Sequence, residues 1–164
     1  MSKTPINMLE HIHNSNLIEG IDDEQADADS LACWERMQAY DHIGHYELLL
    51  MHRMITQHQT DLSASERGQY RNIQVYVGNH TPPAPALIRS LMDNFLQTMI
   101  DKDPKDAHIE FETIHPFVDG NGRTGRMLMW WHEQKLGRYP LLIPIEYRQN
   151  YYRWFTNHKR PRFE

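Results

Sequence analysis

His115-Pro116-Phe117-Val118-Asp119-Gly120-Asn121-Gly122-Arg123-Thr124-Gly125-Arg126 is the stretch on which the reading of this chain turns. It holds an imidazole, a carboxylate, a carboxamide, three glycines and two guanidiniums within twelve residues. The apolar run Met127-Leu128-Met129-Trp130-Trp131 follows directly and predicts a helix. A glycine-rich turn that opens a helix presents free backbone N–H groups and the positive end of the helix dipole. That arrangement binds anions. Arg123 and Arg126, one turn apart, add fixed positive charge that suits phosphate oxygens. Asp119 offers the hard oxygen that magnesium prefers. His115 offers a base whose ordinary pKa is near neutrality. From the residues alone, the stretch describes a site for a nucleotide phosphate, a magnesium ion and a nucleophile that must lose a proton.

Working outward, Pro104 starts a helix where proline is tolerated. Its face carries Ala107, His108, Phe111 and Ile114, and it delivers His115 at its end. On the far side, a helix from Arg123 to about Leu136 is stopped by Gly137. Leu141-Leu142-Ile143-Pro144 reads as a buried connector to a last amphipathic helix, Ile145 to Phe155, whose aromatics belong to the core. Upstream, Leu87, Leu91, Phe95 and Met99 recur at helical spacing. So do Leu31, Trp34, Met37 and Tyr40, after an acidic helix start between Asp22 and Asp29. Gly44 breaks that helix, and Leu48, Leu49, His52 and Ile55 line another. On that face His52 reads as a satisfied core histidine, not a ligand. Asn14 to Gly20 is a short segment with Gly20 as its helix C-cap.

One stretch breaks the helical pattern. Ile73, Val75 and Val77 alternate with polar residues, which is strand patterning. Gly78-Asn79 signals a turn, and Thr81-Pro82-Pro83-Ala84-Pro85 fits neither a helix interior nor a central strand. The expectation is a small surface hairpin, either purely structural or a flap whose free edge holds an extended peptide. The fold class expected is all-α, with about seven helices and one small β-hairpin.

At 164 residues, 40% apolar and 24% charged, the chain reads as one soluble domain with no internal repeat. A net charge of −5 argues against a general nucleic-acid binder. The basic segment His158-Lys159-Arg160-Pro161-Arg162 reads as solvated. Cys33 is the only cysteine, so no intramolecular disulfide forms, in keeping with a reducing compartment. No apolar run reaches the length of a membrane span, and Met1 to Pro5 does not lead into a signal-peptide core. The expected location is the cytoplasm, with delivery to a host left open.

Residues 115–126 resemble the signature of the Fic (filamentation-induced-by-cAMP) family, H-x-F-x-[DE]-G-N-G-R-x-x-R. His115, Phe117, Asp119, Gly120, Asn121, Gly122, Arg123 and Arg126 supply all eight specified types. Tyr70-Arg71 and the segment after it resemble the family's flap. Ala107-His108 through Phe111 to Ile114 resembles the helix before its motif. Ser15-Asn16-Leu17-Ile18-Glu19-Gly20 resembles the inhibitory motif [ST]-x-x-x-E-[GN] found N-terminal to the core in one class of Fic proteins. The resemblance implies a single Fic-type helical bundle over residues 1–164. Residues 1–20 would be an inhibitory segment and 45–157 the core, with the flap near 70–85.

The activity implied is transfer of AMP from ATP to a Ser, Thr or Tyr hydroxyl of a target protein, this chain itself included. His115 would be the base and Asp119 the ligand of magnesium or manganese. The N–H groups of Gly120, Asn121 and Gly122 would form an anion hole. Arg123 would contact the inner phosphates and Arg126 the γ-phosphate, while Phe117 anchors the loop. Ile73, Val75 and Val77 would dock the target. Glu19, aided by Ser15, would pair with Arg126, a carboxylate fork gripping the guanidinium bidentately and denying it to the γ-phosphate. The partners expected are ATP and the target, with no nucleic acid, no membrane, and a homo-oligomer left open.

The chain departs from the family at Trp130, where many members carry Asn, and this leaves the base preference open to another nucleotide. A deAMPylating hydrolase, in which Glu19 positions water, is the alternative enzyme. A toxin or scaffold that only binds nucleotide is the non-enzyme alternative, and it needs neither His115 nor Asp119. The other histidines lack the spacing of a metal hydrolase.

Overall fold

The computed structural model describes residues 7–157 and is built from helices. In chain order they are α1 (Met8–Ile18), α2 (Glu24–Met37), α3 (His45–Thr56), α4 (Ile88–Thr98), α5 (Pro104–Ile114), α6 (Asn121–Lys135) and α7 (Arg148–Asn157), with short 3₁₀ turns before α4, after α4 and before α7. The segments Met1 to Pro5 and His158 to Arg162, read above from sequence, lie outside the described residues.

Local chemistry explains the helix ends. The side chains of Asn7, Asp23 and Asp103 accept from the N–H groups of Leu9, Gln25 and Lys105 at the starts of α1, α2 and α5. Pro104 occupies the first turn of α5, where its missing donor costs nothing. Glu47 reaches back to the Gly44 N–H at 2.9 Å and closes the start of α3. Gly20 adopts φ +73 just past α1, as a helix-ending glycine does.

α6 is the axis of the molecule. Every residue from Arg123 to His132 is buried, so this helix faces protein all round, whereas an amphipathic helix keeps one face in water. It packs on α5, α3 and α1. Gly125 lets α5 approach, because a Cβ there would lie 2.8 Å from Phe111 and 2.7 Å from Glu112. α1 belongs to the same core through Met8, Ile12 and Ile18. Polar contacts also bind it: Asn16 donates to Asp27 at 2.7 Å, His13 bonds the same carboxylate at 2.8 Å, and the Ile145 N–H donates to Asn14 at 2.9 Å. Leu141 is 43% exposed, and of the connector only Ile143 is fully buried.

The hairpin does not form. Among the described residues there is no strand, only an isolated bridge between Val77 and His80 around the Gly78-Asn79 turn. Side chains replace the ladder. Arg71 donates to the carbonyls of Ile73, Pro83, Ile114 and His115, and Gln74 Nε2 donates to those of Val75 and Pro82. Pro82 and Pro83 have no N–H for a ladder, and an isolated two-stranded ribbon is marginal in water. The alternation of Ile73, Val75 and Val77 is real but faces no sheet: Ile73 and Val77 are 49% and 38% exposed.

Candidate active site

α5 and α6 converge on the loop between them, and the loop is shaped from behind. Phe117 is fully buried and stacks on His52 with ring centroids 3.8 Å apart. His52 Nδ1 accepts from the Gly68 N–H at 2.9 Å, so its Nε2 donates to the Asp119 carbonyl at 2.8 Å. His52 is therefore a satisfied core histidine that also fixes the catalytic-type loop. Gly120 has φ +82, and a Cβ there would stand 2.9 Å from Thr56 Cγ2 and 3.1 Å from His52 Nε2. The Asn121 side chain bonds both the N–H and the carbonyl of Phe117 at 2.9 Å. Its carboxamide ties the loop and is spent there, leaving its backbone N–H for a ligand.

His115 ends α5 in the left-handed region, at φ 51 and ψ 65. Few non-glycine residues sit there. Its N–H donates to Phe111 at 2.9 Å and its carbonyl accepts from Arg71 Nε at 2.7 Å. This held turn sends the imidazole into a cavity of about 300 Å³. Burial pushes its pKa down to about 4, against the pull of the Glu112 backbone, so the ring is neutral at neutral pH. Glu112 Oε2 lies 3.9 Å from its Nδ1.

The same cavity is lined by Asp119, Asn121, Gly122, Arg126 and Glu19, with Tyr152 and Phe155 of α7 as an opposite wall. Thr124 is the first α6 residue whose N–H is bonded within the helix, to the Gly120 carbonyl at 3.1 Å. The N–H groups of the preceding first turn are the orphans that make an anion site. Gly120 is no part of it, because its N–H donates to Asp119 Oδ1 at 2.7 Å. Of the three N–H groups expected to form the hole, those of Gly120, Asn121 and Gly122, the latter two lie in this first turn.

Arg126 is fully buried and its partners are well placed. Nε donates to Ser15 Oγ at 2.8 Å, and Nη2 donates to the Ser15 carbonyl at 2.9 Å and to Glu19 Oε1 at 2.7 Å. Nη1 donates to the Tyr151 hydroxyl at 3.0 Å. Burial opposes the charge, but Tyr151 and Glu19 outweigh it and hold the pKa above its usual value. The bidentate fork expected of Glu19 is not formed. Ser15 occupies the Nε–Nη2 edge, so Glu19 reaches only one Nη2 hydrogen. Glu19 Oε1 also presses on the position a Gly122 Cβ would take, which places the carboxylate over the start of α6.

Arg123 is not brought into this cavity. It lines an adjoining hollow with His58, Gln59 and Asp61, and its Nη2 donates to Gln59 Oε1 at 2.5 Å. Its buried Nε has no hydrogen-bond partner among the described residues. Burial lowers its pKa, with Asp119 and Glu19 pulling the other way. Asp119 is exposed at the join between the two hollows, and its Oδ2 accepts from Gln59 Nε2 at 2.5 Å. Among the described residues no three His, Cys, Asp or Glu side chains gather to hold a metal. Asp119 as a single carboxylate ligand does fit magnesium, which takes one or two protein oxygens and completes its shell with phosphates and water. Trp130 does not line the cavity. Its indole is buried, donates to the Leu141 carbonyl at 2.9 Å and meets His11 edge-on. Sequence reasoning overlooked Gln59 and Tyr151, which carry no motif spacing, and placed Arg71 only at the start of the flap.

A profile of the Fic/DOC family matches residues 42–132. The chain belongs to the Fic/DOC family. Two curated relatives, each named protein adenylyltransferase Fic, are 37% identical over 119 residues in Nematostella vectensis and 36% identical over 115 residues in Drosophila grimshawi. The alignments cover 67% and 65% of this chain but 27% and 23% of those proteins, so the chain spans about a quarter of their length. Among solved structures, a Fic family protein from Desulfovibrio desulfuricans G20 superposes with a TM-score of 0.70 at 26% identity, over 92% of this chain and 56% of that one. Fic-1 from C. elegans shares the fold with a TM-score of 0.72 at 21% identity, over 88% and 53%. The Fic match takes in α3 through most of α6, including the flap and the loop, and stops short of α1 and α7. Those two helices supply Ser15, Glu19 and Tyr151 to the Arg126 guanidinium.

Proposed function

We propose that this Fic chain is a protein adenylyltransferase, held inhibited by its own Glu19, that moves AMP from ATP to a Ser, Thr or Tyr hydroxyl of a target protein, itself included. The observation that carries the reading is one cavity uniting a neutral His115, the orphan N–H groups of α6, Asp119 and an Arg126 already occupied by Glu19. The target oxygen attacks the α-phosphorus, its proton passes to the imidazole, and the bond to pyrophosphate breaks. A base already unprotonated at neutral pH suits this, and such help is worth roughly 10²–10⁴-fold. The Asn121 and Gly122 N–H groups stabilise phosphate charge, each on the order of 10²–10³-fold. Magnesium, held by Asp119 when bound, supplies Lewis-acid stabilisation between the phosphates. Tyr152 and Phe155 offer the apolar wall for the base, and the exposed Ile73, Tyr76 and Val77 offer a surface to the target. The reading agrees with the name carried by the relatives.

The test is labelling from α-³²P-ATP. Glu19→Gly is expected to raise AMP transfer on the order of 10-fold or more, within the range for a coupling between sites. His115→Ala in that background is expected to be silent while still binding ATP. No gain from Glu19→Gly sinks the inhibitory role, and retained transfer by the double variant removes His115 as base. A second reading rests on the carboxylate oxygen that Glu19, a cavity-lining residue, has besides the Oε1 that meets Arg126. Such an oxygen can orient a water for hydrolysis of an AMP-modified target. Release of AMP by the unaltered protein, lost in Glu19→Gly, would favour that direction.

A further inference from the structure

Gln59 lies just beyond α3, outside the signature stretch. Its backbone is held independently of its side chain: its N–H donates to the Thr56 carbonyl at 3.0 Å and its carbonyl accepts from Arg67 Nη2 at 2.6 Å. Its carboxamide has two different neighbours. Nε2 donates to Asp119 Oδ2 and Oε1 accepts from Arg123 Nη2, both at 2.5 Å. We propose that Gln59 is a positioning residue: its amide stands between Asp119 and Arg123 and keeps the two from pairing with each other. The inference rests on the nucleotide-and-magnesium reading of the site given above.

Asp119 lies just before α6 and Arg123 in its first turn, and because one amide bonds both side chains, the two opposite charges stand within a single carboxamide of each other. A direct pair would be charge-assisted and, with an arginine, capable of two parallel bonds. It would turn the metal ligand onto Arg123 and away from the nucleotide cavity. An amide prevents this by meeting each charge with its own complement, a donor for the carboxylate and an acceptor for the guanidinium. No other side chain at this position does both. A glutamate would set like charge against Asp119, a lysine against Arg123, and a leucine would leave both to collapse together. Asparagine is one methylene short of the span. The amide is also a weak occupant. Displacing one neutral donor from Asp119 costs far less than opening a bidentate ion pair. Asp119 is thus kept in place yet available, and Arg123 keeps a buried Nε without a hydrogen-bond partner among the described residues.

The experiment measures Mn²⁺ binding by electron paramagnetic resonance, using the full chain with Glu19→Gly and α,β-methylene-ATP, which cannot transfer AMP. Gln59→Leu is expected to weaken Mn²⁺ binding roughly tenfold, the low end for loss of a group that orients a metal ligand. Under turnover with ATP, the Mn²⁺ concentration for half-activity should rise by the same factor while kcat at saturating metal changes less than twofold. The discriminating arm is Arg123→Gln. With no guanidinium to collapse onto Asp119, Gln59→Leu should no longer affect Mn²⁺ binding. Equal weakening in both backgrounds, or none in either, overturns the proposal. Gln59→Asn repeats the test should the leucine variant unfold. Asp119→Ala serves as the control. If it leaves Mn²⁺ binding intact, the metal reading of the site fails and the inference falls with it; if it abolishes binding while Gln59→Leu is inert, only the inference falls.

Discussion

Arg126 is held by Ser15 as much as by Glu19, and this changes what the proposed inhibition asks of the two residues. Ser15 is buried and accepts from Nε through its hydroxyl and from Nη2 through its carbonyl. Glu19 holds a single hydrogen and is partly open to solvent. Removing the Ser15 hydroxyl orphans a buried charged donor, which costs about 1–3 kcal/mol. It leaves the Glu19 contact in place. Ser15→Ala should therefore lower the urea midpoint and raise AMP transfer less than Glu19→Gly does. A Ser15→Ala enzyme as active as Glu19→Gly would show that Ser15, not Glu19, keeps the guanidinium from the nucleotide. The types that meet at Arg126 were legible in sequence from the two motifs. Their division of labour was not, because spacing along a chain does not say which edge of a guanidinium each partner reaches. Asn121 and Gly120 make the same point: both stand in the signature, but one spends its carboxamide on Phe117 and the other its N–H on Asp119.

The α5–loop–α6 unit was legible almost throughout, because its local signals agree: Pro104 to begin, an apolar face to Ile114, glycines to turn and an unbroken apolar run to follow. Gly120 shows why the turn tolerates no other residue. Its left-handed conformation costs an L-residue about 1–2 kcal/mol, and the added methyl would also meet Thr56 and His52 at 2.9 and 3.1 Å. Gly120→Ala should destabilise the protein by more than the conformational term alone and displace the Asp119 carbonyl from His52. Equilibrium urea unfolding measures the first. The second predicts a changed His52 imidazole resonance, and an unchanged one would mean the loop absorbs the methyl without moving. The flap was misread for a physical reason. Alternation reports a strand only where one face is buried, and residues 73–77 have no sheet to bury against. What shapes the segment is Arg71, a single guanidinium capping four carbonyls, and no periodicity reveals such a residue.

Taken as one body, the molecule builds the segment that carries Ser15 and Glu19 into its core. α1 shares apolar contacts with the rest of the fold and is pinned through Asn14, Asn16 and His13. Under the proposed inhibition, release of Arg126 would be a movement of the Glu19 side chain and not the departure of an arm. The sequence offered a resemblance to an inhibitory motif over Ser15 to Gly20 but only the second half of the helix that leads into it, because Met8 and Ile12 form too short a stripe to stand out. The same close packing sets the acid stability. His52 and His108 are buried within the fold, and His115 is pushed down with them: burial brings the three to about 4, about 3 and about 4. In the unfolded chain each returns to its ordinary value near 6.5. Above pH 6.5 neither state carries these protons, and the packing contributes its full stability. Between pH 6.5 and about 4 the unfolded chain binds protons that the native state refuses, so stability falls as pH falls. The loss continues until His108 protonates near pH 3. The urea midpoint should therefore drop steadily from pH 7 to pH 5, before most carboxylates titrate. His52→Gln, which keeps an amide to donate to Asp119, should flatten that slope by about one proton of the three. A midpoint independent of pH over this range would mean that these histidines are not buried neutral, and would remove the unprotonated His115 on which the catalytic reading depends.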